Sequence, residues 1–578
     1  MLLNKRIQSI RNKIKKSWGA IISIALIVIL YIPLLHKYFE QDEWHNFGWQ
    51  IYTLSNMSLT EKLLSLLTSN LPTVQLFNFL NYYIFGVNNV FPAISVLILI
   101  ISNSIVWYIL VKKITKDSFI ACLSILFGFV NVLSLQSVSW VIPAVASQLS
   151  FLFSTLAIVT VYSYVKTSKK VNLLYAILFS ILAFTSRHNA IFIVFYLPLF
   201  YLLISPKVTV FKLVQLLKSG LVITAAFMLF LWFKFGGLRF GDDRFVSEPI
   251  QMLVNFFVIP IKAISQLLFY DPRSMYVIGD WFVENRFGLQ PNDIVVQSIL
   301  TELLSIILSL FVILIVVLIG FTAKKYRKSL IIFSIYYYMS FMPYIVDKFS
   351  TGTGFLESRY YQMGAFGLGV IVAIVLKHLI SVGLKFKNRY YKWSMLLLIV
   401  SIAFVYLFFS YATISDELYR QVDVTTKRKE VLQAMKNTIV TNAGKNFIIY
   451  VNDRGIESQN PVTNMYYQTG VLYPLLVLSY DSGKIDPAFF EDDVLWDYSY
   501  TGTMIKNNQK IGIYYSRSDL IDAIKANNFS IEDVYSYTFD YSDIPDQGAN
   551  GFNVNDFTYV KYKDSTQETR DSLLLDNK

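Results

Sequence analysis

Runs of about twenty mostly apolar residues recur from the start of the chain to beyond residue 410, and they leave few folds open. In lipid each peptide N–H and C=O must find its partner within the segment or within a closed barrel, so runs of this length read as membrane-spanning helices. About eleven qualify: 18–36, 89–111, 118–136, 147–165, 171–186, 190–205, 217–235, 298–320, 329–346, 362–380 and 393–413. A chain of 578 residues that is 54% hydrophobic and 16% aromatic fits that reading. The single cysteine, Cys122, lies inside the third run, which excludes an intrachain disulfide framework and a Cys-rich metal site. Four histidines and no HExxH argue against a His-built zinc centre, and no Gly-rich phosphate loop with a trailing Lys-Ser supports ATP-driven transport.

The net charge of +12 would suggest a polyanion partner if it were spread evenly. It is not. The N-terminus MLLNKRIQSIRNKIKKS and alternate loops (KKITKD, KTSKK, SPKVTVFKLVQLLKSG, AKKYRKS, KHLISVGLKFKNRYYK) hold about 24 of the 51 Lys and Arg and one of the 39 acids, Asp117. The positive-inside rule then puts the N-terminus and these loops in the cytoplasm, and an odd number of spans puts the C-terminus outside. The first apolar run ends in Pro33 and bulky residues rather than a small-residue cleavage site, so it reads as a retained span and not a signal peptide. The expected architecture is an α-helical polytopic plasma-membrane protein, with a membrane domain over 1–413 and a small extracytoplasmic α/β domain over 414–578. Nucleic acid is not an expected partner.

Three outward segments are long. Residues 37–88 contain an amphipathic stretch interrupted by Pro72, read as two short helices lying along the membrane surface. Residues 236–297 are rich in Asp, Arg and aromatics, with IQMLVNFFVIPIKAISQLLFY dipping into the interface. In the tail, TTKRKEVLQAMKNTIV and SDLIDAIKANN have helical spacing, the latter with Ser518 as N-cap. KNFIIYVND, KIGIYYS and FTYVKYKD have strand character, and the last residues, KDSTQETRDSLLLDNK, read as loose.

The segment FEQDEWHNFGW, Phe39 to Trp49, follows the first span directly. Asp42 and Glu43 sit there among Trp44, Phe47 and Trp49, with His45 and Asn46 as polar neighbours. A solvated acidic loop is the bland account. The sharper one starts from repulsion: two carboxylates roughly 6 Å apart repel by about 3 kcal/mol at an effective dielectric of 20, which raises one pKa toward neutrality and suits a general base. A second feature is AFTSRHNAIFIVFYLPLFYLL, where Arg187 and His188 interrupt an apolar hairpin. An arginine at membrane depth needs an anion: a carboxylate or helix-end carbonyl on the bland reading, a lipid phosphate on the sharper. A third is TGTGFLESRYYQMGAFGLG, with Glu357, Arg359 and Tyr360 at the start of a late span, where interfacial anchoring is the rival account. Lys234, Arg239, Asp242, Asp243 and Arg244, and likewise Asp271, Arg273 and Asp280, read more simply as self-paired loops than as a phosphate or metal site.

A basic N-terminus, one span, then an Asp-Glu pair opening a long first outward loop resembles the GT-C glycosyltransferases, most of all the protein O-mannosyltransferase and aminoarabinose-transferase branch. The resemblance covers about residues 1–413. It implies a multispan enzyme that takes a sugar from a polyprenyl-phosphate carrier, with Asp42 as the catalytic acid residue and Glu43 beside it. It also implies that Arg187 and His188, and Arg359 and Tyr360, lie at the carrier phosphate or donor sugar, with Trp44 and His45 lining the substrate. The acid that family members carry after the Arg is absent, the positions reading His188 and Asn189. The second outward loop, SLQSVSWVIPAVASQ, has no acid to share a metal, so no cofactor is expected, with a divalent cation as the alternative. The expected partners are a polyprenyl-phosphate-linked sugar, membrane lipid and an extracytoplasmic glycan, lipid or protein acceptor. The competing class is a secondary transporter or exporter of a lipid or polysaccharide, which calls for inverted repeats and several broken spans.

Overall fold

The computed structural model describes residues 18–39, 41–69, 71–205, 214, 249–269, 294–346, 360–454, 473–480, 483–490, 501–540 and 561–576. They form two units, one of Met1–Ile32, Thr68–Gln75 and Ala93–Glu417, the other of Pro33–Leu67, Leu76–Pro92 and Leu418–Lys578.

The first unit is a bundle of apolar helices. Among the described residues seven helices are long and apolar enough to cross a membrane, beginning with Trp18–Leu35, Val90–Thr115 and Pro143–Thr167. Three shorter apolar helices, Ser118–Phe129, Lys170–Ser186 and His188–Ile204, join them. The chain is therefore a multi-pass membrane protein with a small sheet near its C-terminus. The expected span 217–235 lies outside the described residues, and 329–346 is covered by a helix of 14 residues, Arg327–Ser340, and the turn Met342–Val346. The centre of the bundle is Trp107, its ring 5.4 Å from those of Phe151, Tyr336 and Phe366 and 5.8 Å from Phe333. Gly369 lets Gln362–Gly383 lie close on Ser118–Phe129, since a Cβ there would stand 3.2 Å from the Ser124 carbonyl oxygen.

Residues 249–269 form one helix, Pro249–Phe269, long and apolar enough to cross a membrane. Pro260 inside it has no N–H to give the carbonyl four residues back. The Tyr338 hydroxyl supplies that donor, 2.6 Å from the Phe256 oxygen. A proline that reads as a helix breaker is thus accommodated by a neighbouring helix. The last apolar helix also runs further than its hydrophobic stretch, from Arg389 to Asn442 over 54 residues. It contains no Gly or Pro, and only Ala443–Gly444 follow to stop it.

The second unit is built on a five-stranded sheet of order β2-β3-β1-β4-β5, with β1 Phe447–Arg454, β2 Gly502–Lys506, β3 Gln509–Tyr514, β4 Val534–Asp540 and β5 Lys561–Asp564. β1 runs parallel to both neighbours, Phe447 opposite Ile511 and Ile448 opposite Val534, while the outer strands are antiparallel. Buried on both faces, β1 reads as an unbroken apolar run, FIIYV. Ile448, Tyr450 and Val534 pack on Leu520 and Ala523 of the helix Arg517–Asn527 and on Leu573 of the C-terminal helix Thr566–Asp576. That final helix stands where the sequence suggests loose chain. The Asp564 carboxylate accepts from Thr566 N at 3.0 Å, and Arg570 Nε donates to the Val534 carbonyl at 2.9 Å.

The opposite face carries the larger core. Phe447, Ile449, Val451, Ile511 and Ile513 meet Leu432, Met435 and Ile439 from the long helix, where Thr425, Arg428, Leu432, Met435 and Ile439 recur at three- and four-residue intervals as one buried stripe. Part of that core comes from far earlier in the chain, Tyr38, Phe39, Trp44, Phe47 and Ile51, and part from later residues such as Tyr473, Leu475, Val477 and Phe490.

Candidate active site

The Asp-Glu pair lies in the first turn of a helix, Gln41–Asn56. Glu43 is buried, 1% exposed, as are Lys37 at 2% and Arg428 at 4%, all in the second unit. The side chain of Asp42 lies outside the described residues.

Trp44 is 1% exposed and forms part of the core rather than a rim, with Phe39 at 5.3 Å and Tyr38 at 5.5 Å. Its burial follows from the apolar set Phe39, Trp44, Phe47 and Ile51, which gives one face of the segment to the core. His45 stands on the half-buried side, its ring 6.2 Å from that of Tyr473. Burial holds the imidazole pKa down, to about 4, so it is neutral at physiological pH. The segment is tied to the long helix as well: Tyr38 N donates to Thr425 Oγ1 at 3.1 Å, and Lys429 Nζ lies 5.3 Å from the Tyr38 ring centroid.

In the membrane unit, Arg187 sits in the break between Lys170–Ser186 and the 3-10 turn His188–Ile191. Its backbone is extended, φ −162° and ψ 129°, and closes the first helix through a bond from its N–H to Ala183 O at 3.1 Å. The guanidinium donates through Nη1 to Ser147 Oγ, whose own hydroxyl is placed to donate to Pro143 O at 2.9 Å. The guanidinium carbon lies 5.1 Å from the centroid of Tyr360. Tyr360 packs against Tyr344 at 4.8 Å, and the Tyr344 hydroxyl accepts from Asn189 Nδ2 at 2.7 Å. Arg187, Tyr360, Tyr344 and Asn189 thus form a ring of contacts that returns to the same helix break. His188 stacks on Phe184 at 5.5 Å.

The stretch 134–148, expected as a second outward loop, is largely buried in this unit, with Ser134, Ser137, Ser139, Ser147 and Gln148 all in its interior. Gln148 Nε2 donates to Ser137 O at 3.1 Å and Asn103 Nδ2 donates to Gln148 Oε1 at 2.8 Å. Uncharged polar side chains let an irregular backbone sit among apolar helices without orphaned peptide groups. Ser147 and Tyr344 carry no sequence motif; a serine-rich stretch without charge is the only sign of the first.

Arg359, Glu357 and the groups between Lys234 and Asp280 named above lie outside the described residues, except that Tyr360 is described and faces Arg187. Among the described residues no three of His, Cys, Asp and Glu come together as metal ligands.

No family model matches the chain, and no curated protein does. Among solved structures it is similar to ArnT from Cupriavidus metallidurans bound to undecaprenyl phosphate, with 10% identity, 91% of this chain and 94% of that one covered, and a TM-score of 0.42. It is also similar to ArnT from the same organism in the apo state, with 11% identity, 92% and 94% covered, and a TM-score of 0.40.

Proposed function

We propose that this protein is an inverting membrane glycosyltransferase that moves a sugar from a polyprenyl-phosphate carrier to an acceptor hydroxyl on the outer side of the membrane. The single observation that carries the reading is the setting of Arg187: a guanidinium at a helix break in an apolar hairpin, aligned by Ser147 and an aromatic wall. A cation kept at membrane depth in a fixed orientation suits an anion that arrives through the bilayer, and a planar guanidinium matches a phosphate at two oxygens. The sequence resemblance at Asp42 supplies the other half.

In the proposed reaction Asp42 takes the proton of the acceptor hydroxyl as its oxygen attacks the anomeric carbon. The bond from that carbon to the phosphate oxygen breaks, and its electron pair leaves with the carrier phosphate. Arg187 offsets the charge that develops there, with Arg359 as a second cation. His188 and Tyr360 line the carrier side. The N-terminus lies in the cytoplasm and the C-terminal unit outside.

The test is transfer by purified protein supplied with polyprenyl-phosphate carrying a labelled sugar and with an extract of envelope acceptors. Wild type transfers label with inversion at the anomeric carbon, and Asp42→Asn loses about 10²- to 10⁴-fold in rate. Label that crosses a vesicle membrane unchanged, equally well with Asp42→Asn, would instead establish a transporter.

A further inference from the structure

Gly48 is the tightest point in the second unit's hold on the Gln41–Asn56 helix. A Cβ placed there would stand 1.8 Å from Tyr473 Oη, 2.6 Å from its Cζ and 3.0 Å from Phe490 Cδ1, well inside van der Waals contact. Tyr473 belongs to the helical residues 473–480, and Phe490 to the turn Pro487–Phe490. Their rings pack edge to face at 5.8 Å, so neither is a loose end that could swing aside. One turn before Gly48, His45 meets the same Tyr473 ring; two turns after it, Ser55 Oγ and Tyr480 Oη are hydrogen-bonded at 2.9 Å. The inner face of the helix, with Glu43, Trp44, Phe47 and Ile51, is buried. The helix is therefore held along its length by residues more than 400 positions away, and at Gly48 it is held with no room for a methyl group.

We infer that the second unit sets the position of the catalytic helix: Gly48 against Tyr473 fixes how deeply that helix sits, and Glu43, buried one residue after Asp42, anchors its first turn from inside. This rests on the reading of Asp42 as the base. Gly48, Tyr473 and Glu43 are positioning residues. A Cβ at 48 pushes the helix off the 473–490 segment, and a displacement of about 1 Å at a reacting group costs on the order of a hundredfold in rate.

The experiment compares Gly48→Ala, Tyr473→Leu, the double variant, and Leu520→Ala, which weakens the core on the other face of the sheet. Transfer from the labelled carrier is measured as kcat and KM, and hydrogen exchange is followed over 41–56 and 473–490. Gly48→Ala is expected to lower kcat about ten- to a hundredfold with KM for the carrier unchanged, and to raise exchange in both segments together. Removing the Tyr473 hydroxyl and ring edge in the double variant is expected to restore kcat to within a few fold of Tyr473→Leu alone. Leu520→Ala is expected to lower the unit's melting temperature without that loss of kcat at a temperature where it is folded. Gly48→Ala with unchanged kcat and unchanged exchange overturns the inference, and so does a double variant no better than Gly48→Ala. If Gly48→Ala does not fold, recovery of folding and kcat in the double variant supports the inference, and no recovery overturns it. If wild type transfers no sugar, the proposed function fails, while the exchange data still decide whether Gly48 positions the helix.

Discussion

The two units prepare their key groups by different physical means. Arg187 is set by a few polar and aromatic contacts at one break in an apolar hairpin: Ser147 on one side and Tyr360, itself backed by Tyr344, on the other. The helix Gln41–Asn56 is set by a whole core, drawn from its own aromatic face, the long helix and the sheet. In a membrane the apolar residues have no strong preference for protein over lipid, so polar contacts carry the local order. In the second unit apolar burial around a sheet sets the order, so position is spread over many side chains and no single hydrogen bond decides it. A site built on the first plan is sensitive to single polar substitutions, and one built on the second to changes of volume.

That contrast can be broken at its strongest point by Met435→Ala. Met435 is fully buried between the long helix and the sheet, and its truncation is expected to destabilise the second unit by about 2–5 kcal/mol. Thermal unfolding followed with exchange over 447–454 and 511–514 reports it, with exchange over 141–167 left as in wild type. Equal loosening of both segments contradicts the separation of the two units.

The next effect is pH. His45 is held neutral by burial, with its pKa lowered to about 4 from the usual 6.5. The unfolded chain therefore takes up that proton first as pH falls, and stability that is full above about pH 6.5 is lost progressively toward pH 4, by up to about 3 kcal/mol. Melting curves of the second unit's tyrosine signal between pH 4 and 7 should show the slope, and His45→Gln should flatten it. A slope that survives the substitution assigns it to other groups.

The smallest effect sharpens the membrane half. Tyr360→Leu removes the ring beside Arg187 and is expected to raise KM for the carrier about fivefold, in keeping with about 1 kcal/mol for such a contact, with kcat little changed. A fall in kcat at unchanged KM would place Tyr360 at the chemistry instead of at the carrier.

Much of this was legible in residues alone, and the gaps have physical causes. Span-length apolar runs mark helices because lipid leaves the backbone no alternative, and FIIYV and KIGIYY read as strands from local pattern. Arg187 stands out because a charge in an apolar hairpin is conspicuous. The partner that offsets Pro260 cannot be read locally, since the Tyr338 hydroxyl lies on another helix. The aromatics of Phe39–Trp49 suggest an interfacial belt, yet Trp44 and Phe47 are core residues; their partners, Leu432 to Phe490, lie nearly 400 residues on, beyond any periodicity argument. Gly48 looked like an ordinary glycine, since only the Tyr473 hydroxyl gives it meaning. The final helix Thr566–Asp576 escaped notice because its single buried anchor, Leu573, leaves little amphipathic pattern.

The central claim is a division of labour, in which Arg187 grips the carrier phosphate and Asp42 handles the acceptor proton. The most direct measurement is the affinity of purified protein for polyprenyl phosphate bearing no sugar, taken for wild type, Arg187→Gln and Asp42→Asn. The account predicts binding weakened roughly ten- to a hundredfold by Arg187→Gln, as for a lost charge-assisted pair, and unaltered by Asp42→Asn. Equal affinity in all three proteins, or weakening confined to Asp42→Asn, would contradict it.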